Sequence, residues 1–599
     1  MPLVNLFSPA PGVATRVMEV FKGIPVSPGY AVFPAYLLDM SLPRVEPAFV
    51  PASDAENEIV RFERARQSVI AQLETIRERI SGAVGAPSAA IFSAHILLLN
   101  DVKLISQVTE MIRDQNATAE YAVAESFTEL AKRFQALSNR YLSERADDIL
   151  DLETRFVNEL TGRKNVSLLD LKERVVLVAS DLTPSTTADI VHSQIAGFAT
   201  DFGGRTSHTA ILARAFNIPA VVGLNDFSSR VKNGQTVIVD GGRGKVYLNP
   251  DEKTVRHYEQ LVERFKKWES TLLSEKDFPT VSRDGVSVEI MANIEMPEEI
   301  ERCVSNSADG VGLYRTEFLF LQGGEPPSEA RHFEVYSESI KALKGRPLTI
   351  RTFDLGADKT ISGVPNHERN PALGTRSIRL SMQHQDIFRS QLRAVFRASV
   401  KGDVKLLLPM ITTIGEILWA KDQISVVQEQ LTKERIPFAK SVPLGIMIEV
   451  PAAAICADLL AEHCDFFSLG TNDLIQYTLA VDRTNEQVGP LFNPSHLSVL
   501  RLIKNVIDVG DRCDVPVSIC GEMGSDISYA YLLLGMGLRR FSVSPNRIPE
   551  IKRMFRHSNV EDASRAATEV LSMKRSKDVS DYLSRLMRQI LPYERFEFE

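Results

Sequence analysis

Eight apolar, β-type runs recur from residue 286 onward, at 286–294, 309–314, 347–354, 404–411, 443–450, 465–470, 515–521 and 539–544, with helical stretches between them. Eight strands alternating with helices over roughly 300 residues meet the requirement of a closed parallel barrel, whose chemistry sits on the loops after the strands. The sequence therefore predicts a C-terminal (β/α)8 barrel over 279–599. It also says where to look for a site, namely at the ends of the runs.

Those ends carry Arg315 after the second run, Arg351 and Asp354 at the third, Glu449 at the fifth, Asn472 and Asp473 after the sixth, and Cys520 at the seventh. Two carboxylates beside an amide suit a hard cation such as Mg2+, which takes a few protein oxygens and leaves positions for substrate oxygens. Glu449 and Asp473 are the expected metal ligands. Arginine forks grip carboxylate or phosphate with two hydrogen bonds at once, so Arg315, Arg351 and Arg483 predict a small, densely anionic substrate.

The N-terminal half reads differently. Segments 22–36 and 174–248 are short β-type runs bounded by Gly, Asn, Asp or Pro, and between them lies a long helical region. Ser53 to Glu56 has the spacing of a capping box, and Ile59, Phe62, Val69, Leu73 and Ile76 follow at helical intervals. The pattern continues to about 162, which predicts a helical bundle over 54–162 inserted into a β/α domain made of 21–53 and 163–250. A polar, helix-favouring stretch over 251–278 reads as an interdomain linker. The chain is thus expected to be a multidomain α/β protein. Its 599 residues are too many for one compact core.

Within 201–214 a Gly-rich turn runs into an apparent helix and places His208 at its first turn. The positive end of a helix dipole disfavours imidazolium and offers free amides, so a neutral histidine there is suited to accept a phosphoryl group.

The formal charge of -8 argues against a nucleic-acid partner, which would call for clustered Lys and Arg. Five cysteines without CxxC spacing suggest neither a disulfide frame nor a zinc site. The first twenty residues lack the pattern of an export signal and no run has the length of a membrane span, so a cytoplasmic protein without membrane insertion is expected.

The motifs GGRTSHTAILAR (203–214) and IPAVVG (218–223) resemble the phosphohistidine signature shared by Enzyme I of bacterial phosphotransferase systems, pyruvate phosphate dikinase and phosphoenolpyruvate synthase. GLYRTEFLF (312–320), RTFDLGADK (351–359), NPALGTRSIR (370–379), IEVPAA (448–453), FFSLGTNDLIQYTLAVDR (466–483) and CGEM (520–523) are similar to the phosphoenolpyruvate-binding half of Enzyme I. The resemblance covers nearly the whole chain. It implies a swivelling phosphohistidine domain with His208 as acceptor and Thr187 hydrogen-bonded to its ring. Arg315, Arg351, Asn472 and Arg483 become substrate contacts, Glu449 and Asp473 ligands of Mg2+, and Cys520 the thiol that hands a proton to the enolate carbon.

The same resemblance implies a helical insertion that docks the phosphocarrier HPr, carried here by AIFSAHILLLND (90–101) and YLSERADDILDL (141–152). His95, Leu97, Leu98, Arg145 and Asp148 are the interface candidates. It further implies a homodimer built through the barrels, and phosphoryl transfer from phosphoenolpyruvate to His208 and then to HPr, the first step of sugar uptake. Residues 1–20 precede the family-like start as an extension without an assigned role. A dikinase or synthase would need a large ATP-binding domain and none is legible, nor is any GxxxxGK[ST] loop. A catalytically silent sensor of phosphoenolpyruvate is the alternative; it is disfavoured because His208, Glu449, Asp473 and Cys520 are all present.

Overall fold

The computed structural model describes residues 18–38, 45–83, 86–135, 145–162, 168, 171–182, 194–204, 210, 213, 218–321, 326–356, 370–483, 485 and 487–591. The chain divides into two compact units, Met1–Lys267 with Glu597–Glu599, and Trp268–Phe596. The division falls within one helix, Glu252–Glu275, which occupies the polar stretch read as a linker.

The first unit is built on an eight-stranded sheet of order β1-β8-β7-β3-β4-β5-β6-β2. Its strands are β1 (Glu19–Lys22), β2 (Ile24–Ser27), β3 (Tyr30–Leu37), β4 (Val175–Ala179), β5 (Ile195–Thr200), β6 (Ala220–Val222), β7 (Thr236–Asp240) and β8 (Lys245–Leu248). β3 and β4 are parallel neighbours, with Ala35 opposite Val176 and Leu37 opposite Val178. Parallel neighbours need a crossover connection, and here the helical insertion is that crossover. It can be large because only its ends have to meet the sheet.

The insertion comprises the helices Ala55–Ala83, Ala86–Leu99, Val102–Gln115, Ala119–Gln135 and Arg145–Thr161. Phe62, Val69, Leu73, Val108, Ile112, Phe127 and Phe156 form its core, and Phe62 stacks on Phe156 at 5.4 Å. The capping box expected at Ser53 is not formed. A 3-10 turn, Ala52–Asp54, leads into the first helix, and the Ser53 hydroxyl faces Asp54 Oδ1 at 3.4 Å instead of a helix amide. Asp101 does cap the third helix, accepting from the N–H groups of Lys103 and Leu104.

The second unit is a closed barrel of eight parallel strands, β9 (Glu289–Ile294), β10 (Val311–Tyr314), β11 (Leu348–Arg351), β12 (Val404–Leu408), β13 (Leu444–Ile448), β14 (Phe466–Leu469), β15 (Val517–Ile519) and β16 (Arg540–Val543). Closure is made by β16 against β9, with Phe541 opposite Ile290. Every apolar run singled out in the sequence contains one strand and overshoots it by a few residues. Leu313, Leu407, Met447 and Cys520 pack together, Phe466 beside them, apart from the main apolar cluster of the unit. Among the described residues no helix is long and apolar enough to cross a membrane, and all five cysteines are free.

Candidate active site

The carboxyl ends of the barrel strands bring the predicted rim residues together. Arg315, Arg351, Glu449, Asn472, Asp473, Arg483 and Cys520 line one cleft. It shares Arg315, Arg351, Asp473 and Arg483 with an adjoining cavity of about 810 Å³ that also takes in Asp354, Arg376 and Tyr477.

Arg351 ends β11 and is buried. Its Nη2 donates to Glu317 Oε1 at 3.0 Å, and its Nη1 lies 3.4 Å from Asp354 Oδ2. Burial opposes its charge, but Glu317, Asp354 and Glu449 outweigh that penalty and hold the guanidinium above its ordinary pKa. Its Nε is buried without a hydrogen-bond partner among the described residues, as is that of Arg315. A buried donor left open is costly unless a ligand fills it. Arg315 reaches Glu295 from the loop after β10, and Arg483 stands 3.9 Å from Glu522.

Glu449 follows β13 and is almost wholly buried. Met410 N–H donates to its Oε1 at 2.6 Å. Desolvation, followed by the nearby charges of Asp473 and Asp354, pushes its carboxyl well above the usual carboxylate range, although Arg351 and Arg376 pull the other way. A desolvated carboxylate with a second carboxylate near it is a donor set that a bound hard cation would relieve, so Glu449 and Asp473 fit Mg2+ with its other positions open to substrate or water. Gly470 makes room for this carboxylate: a Cβ there would sit 2.8 Å from Glu449 Oε2. Gly521 is equally constrained, since its Cβ would meet Thr471 Oγ1 at 1.8 Å.

Asn472 and Asp473 lie in the first turn of the helix Thr471–Leu479. Asn472 Nδ2 donates to Glu522 Oε1 at 3.2 Å and its Oδ1 accepts from Glu522 N–H at 3.0 Å. Cys520 is buried and its thiol is pushed up to about 11, first by desolvation, against which the Ser468 hydroxyl works by donating to Sγ at 3.1 Å. The group is a protonated thiol at neutral pH.

Strand ends alone did not reveal Arg376. It follows the short turn Pro371–Leu373 and donates from Nη2 and Nε to both oxygens of Asp354, at 2.8 and 3.2 Å. Its Nη1 donates to Tyr477 OH at 3.0 Å and lies 3.5 Å from Asp473 Oδ1. Burial opposes its charge, yet Asp354 dominates and raises its pKa. The only sequence signal was its place inside NPALGTRSIR.

Thr187 and His208 lie outside the described residues, as does the side chain of Arg145. In the helical insertion His95 is 4% exposed, its ring set edge-on against Phe92 at 6.0 Å. His95, one of the interface candidates, thus faces the interior of the insertion. Leu97, two residues on, is 72% exposed; Leu98 and Asp148 are half-buried.

Comparison with known proteins agrees with this architecture. Residues 270–560 match the PEP-binding domain of PEP-utilising enzymes, 22–145 their N-terminal domain and 171–244 their mobile domain. The chain is 40% identical over 570 residues to the phosphoenolpyruvate-protein phosphotransferase of Listeria innocua serovar 6a, covering 94% of this chain and 98% of that one. It is 41% identical over 570 residues to the enzyme of the same name from a Bacillus species, covering 95% and 98%. The Staphylococcus aureus enzyme of that name is 39% identical over 577 residues, covering 95% of this chain and 100% of its own. Such identity along nearly the full length of these relatives, together with the three domain matches, means that the chain belongs to the phosphoenolpyruvate-protein phosphotransferase family of enzymes.

Proposed function

We propose that the barrel rim binds phosphoenolpyruvate and passes its phosphoryl group to His208, from which HPr receives it. The observation that carries this reading is the convergence of Arg315, Arg351 and Arg483 with Glu449 and Asp473 in one cleft. The arginines grip the phosphate and carboxylate, and Arg315 and Arg351 each keep a buried Nε–H without a partner among the described residues. Asn472 orients the substrate beside them. A Mg2+ held by Glu449 and Asp473 would add positive charge where the phosphoryl oxygens gather.

His208 attacks phosphorus in line; the P–O bond breaks, the phosphoryl group passes to the imidazole and the enolate of pyruvate is left behind. Cys520 then gives its proton to the enolate carbon, which forms pyruvate. A thiol raised to about 11 is a competent acid, and the Ser468 hydroxyl already directed at Sγ stabilises the thiolate that remains. Thr187 would orient the His208 ring by a hydrogen bond, as the family resemblance implies. The helix Glu252–Glu275 serves as the connector that lets the His208 domain alternate between the rim and the carrier.

HPr docks on the helical insertion, with exposed Leu97 as the main apolar contact and Leu98, Arg145 and Asp148 as further candidates. The protein works in the cytoplasm as a homodimer joined through the barrels, at the start of phosphotransfer-driven sugar uptake. Labelled phosphoenolpyruvate with Mg2+ tests the reading. The chain should acquire acid-labile phosphate that His208→Ala abolishes; undiminished labelling of that variant would contradict it.

A further inference from the structure

Gln391 takes no part in the chemistry above, yet it is wholly buried on the outer helix Gln385–Ala398 with its side-chain amide fully engaged. Oε1 accepts from Phe353 N–H at 3.1 Å, and Nε2 donates to Thr316 Oγ1 at 2.9 Å and to Tyr336 OH at 3.0 Å. Thr316 Oγ1 in turn donates to the carbonyl of Arg351 at 3.1 Å. One amide and one hydroxyl thus tie the residue that follows Arg315 to the backbone on both sides of Thr352.

The Gln391 amide sets the donor directions around it, because its nitrogen only donates and its oxygen only accepts. Burial pushes the His332 imidazole down to about 4, so it is neutral, and its Nδ1 lies 3.0 Å from Tyr336 OH. Gln391 Nε2 gives one hydrogen to Tyr336 OH and the other to Thr316 Oγ1, so the Thr316 hydrogen is left for the Arg351 carbonyl. At the other end of Arg351, Glu317 Oε1 accepts from the guanidinium at 3.0 Å and from Asp354 N–H at 2.8 Å. A buried polar network of this kind adds little net stability over a well-packed apolar substitute, but it defines direction.

Resting on the rim reading above, we propose that Gln391 and Thr316 are positioning residues that set the spacing of Arg315 and Arg351 for phosphoenolpyruvate. They touch no substrate. They hold the loops leaving β10 and β11 in one register, so that two guanidinium groups from different strands meet one small anion.

The test is calorimetric titration of the full chain carrying His208→Ala, so that no phosphoryl transfer accompanies binding, with phosphoenolpyruvate and Mg2+ at a temperature where circular dichroism shows every variant folded. Thr316→Val keeps the shape and removes the hydroxyl, Thr316→Ser restores it, and Gln391→Met replaces the amide by an apolar chain of similar size. The dissociation constant should rise about tenfold in Thr316→Val and Gln391→Met and return to within about twofold in Thr316→Ser, the scale expected for a small misplacement of a binding group. In steady state, with His208 intact, KM should rise by a similar factor while kcat changes far less. Arg351→Ala serves as reference. If it loses affinity while folded Thr316→Val and Gln391→Met bind as the unchanged chain does, the positioning role is overturned and the rim reading stands. If Arg351→Ala also binds normally, the rim reading fails and this inference falls with it. Should Gln391→Met not fold, the Thr316 pair decides.

Discussion

Arg376 holds Asp354 on two atoms, Nη2 to Oδ2 at 2.8 Å and Nε to Oδ1 at 3.2 Å, while its remaining Nη1 reaches Tyr477 OH at 3.0 Å. A lysine ammonium has three N–H donors on a single nitrogen and no planar fork, so it does not reproduce the two-atom grip on Asp354 together with the reach to Tyr477. Arg376→Lys should therefore leave Asp354 partly unpaired beside the substrate cleft and lower kcat/KM for phosphoenolpyruvate about 10- to 100-fold. Steady-state kinetics in a coupled pyruvate assay give the number.

The Gly470 backbone lies against the Glu449 carboxylate, where a Cβ would come within 2.8 Å of Oε2. Gly470→Ala must displace the Glu449 side chain from its present position. The expected outcome is a loss of divalent-cation affinity of about tenfold or more, read from Mn2+ binding by electron paramagnetic resonance in the absence of substrate, with the fold intact by circular dichroism.

Cys520→Ala removes the proposed acid without touching His208. Phosphoryl transfer to the protein should persist in a single turnover, while pyruvate formation under steady-state conditions falls by about 10². Quenched-flow labelling compared with pyruvate release separates the two steps.

In the helical insertion Glu153 is buried between helices, with Thr128 Oγ1 donating to its Oε2 at 3.1 Å. Burial first, and then the charge of Glu125, raises its pKa to about 7 against the hydrogen bond from Thr128. Between the unfolded value near 4.5 and the folded value the native state holds a proton that the unfolded chain has released, so stability falls as pH rises through that window. Glu153→Gln should remove the slope and stabilise the insertion by about 1–2 kcal/mol at pH 8, after allowance for solvent screening. Melting curves from pH 5 to 8 give the comparison.

The barrel was legible because parallel strands are buried on both faces and read as unbroken apolar runs. Strand ends then located Arg315, Arg351, Glu449, Asn472, Asp473 and Cys520 without any packing information, and the structure places them in one cleft. Arg376 escaped because it arrives from a turn rather than a strand end. Gln391 escaped for a different reason: on an amphipathic helix a glutamine reads as solvated, and only tertiary contact shows it facing inward. The burial of His95 was not legible because the candidate came from the resemblance of AIFSAHILLLND, and the mostly apolar helix Ala86–Leu99 leaves little contrast for periodicity to mark an inner face. Ser53 had capping-box spacing, but the tight turn Ala52–Asp54 uses up the residues the box would need.

The most direct measurement separates the two half-reactions in the double variant Arg315→Ala/Arg351→Ala. If the rim is the phosphoenolpyruvate site and His208 the relay, this protein loses labelling by phosphoenolpyruvate and still takes phosphate onto His208 from phosphorylated HPr at the unchanged rate. Retention of labelling by phosphoenolpyruvate, or equal loss of both half-reactions in a folded protein, would contradict the account.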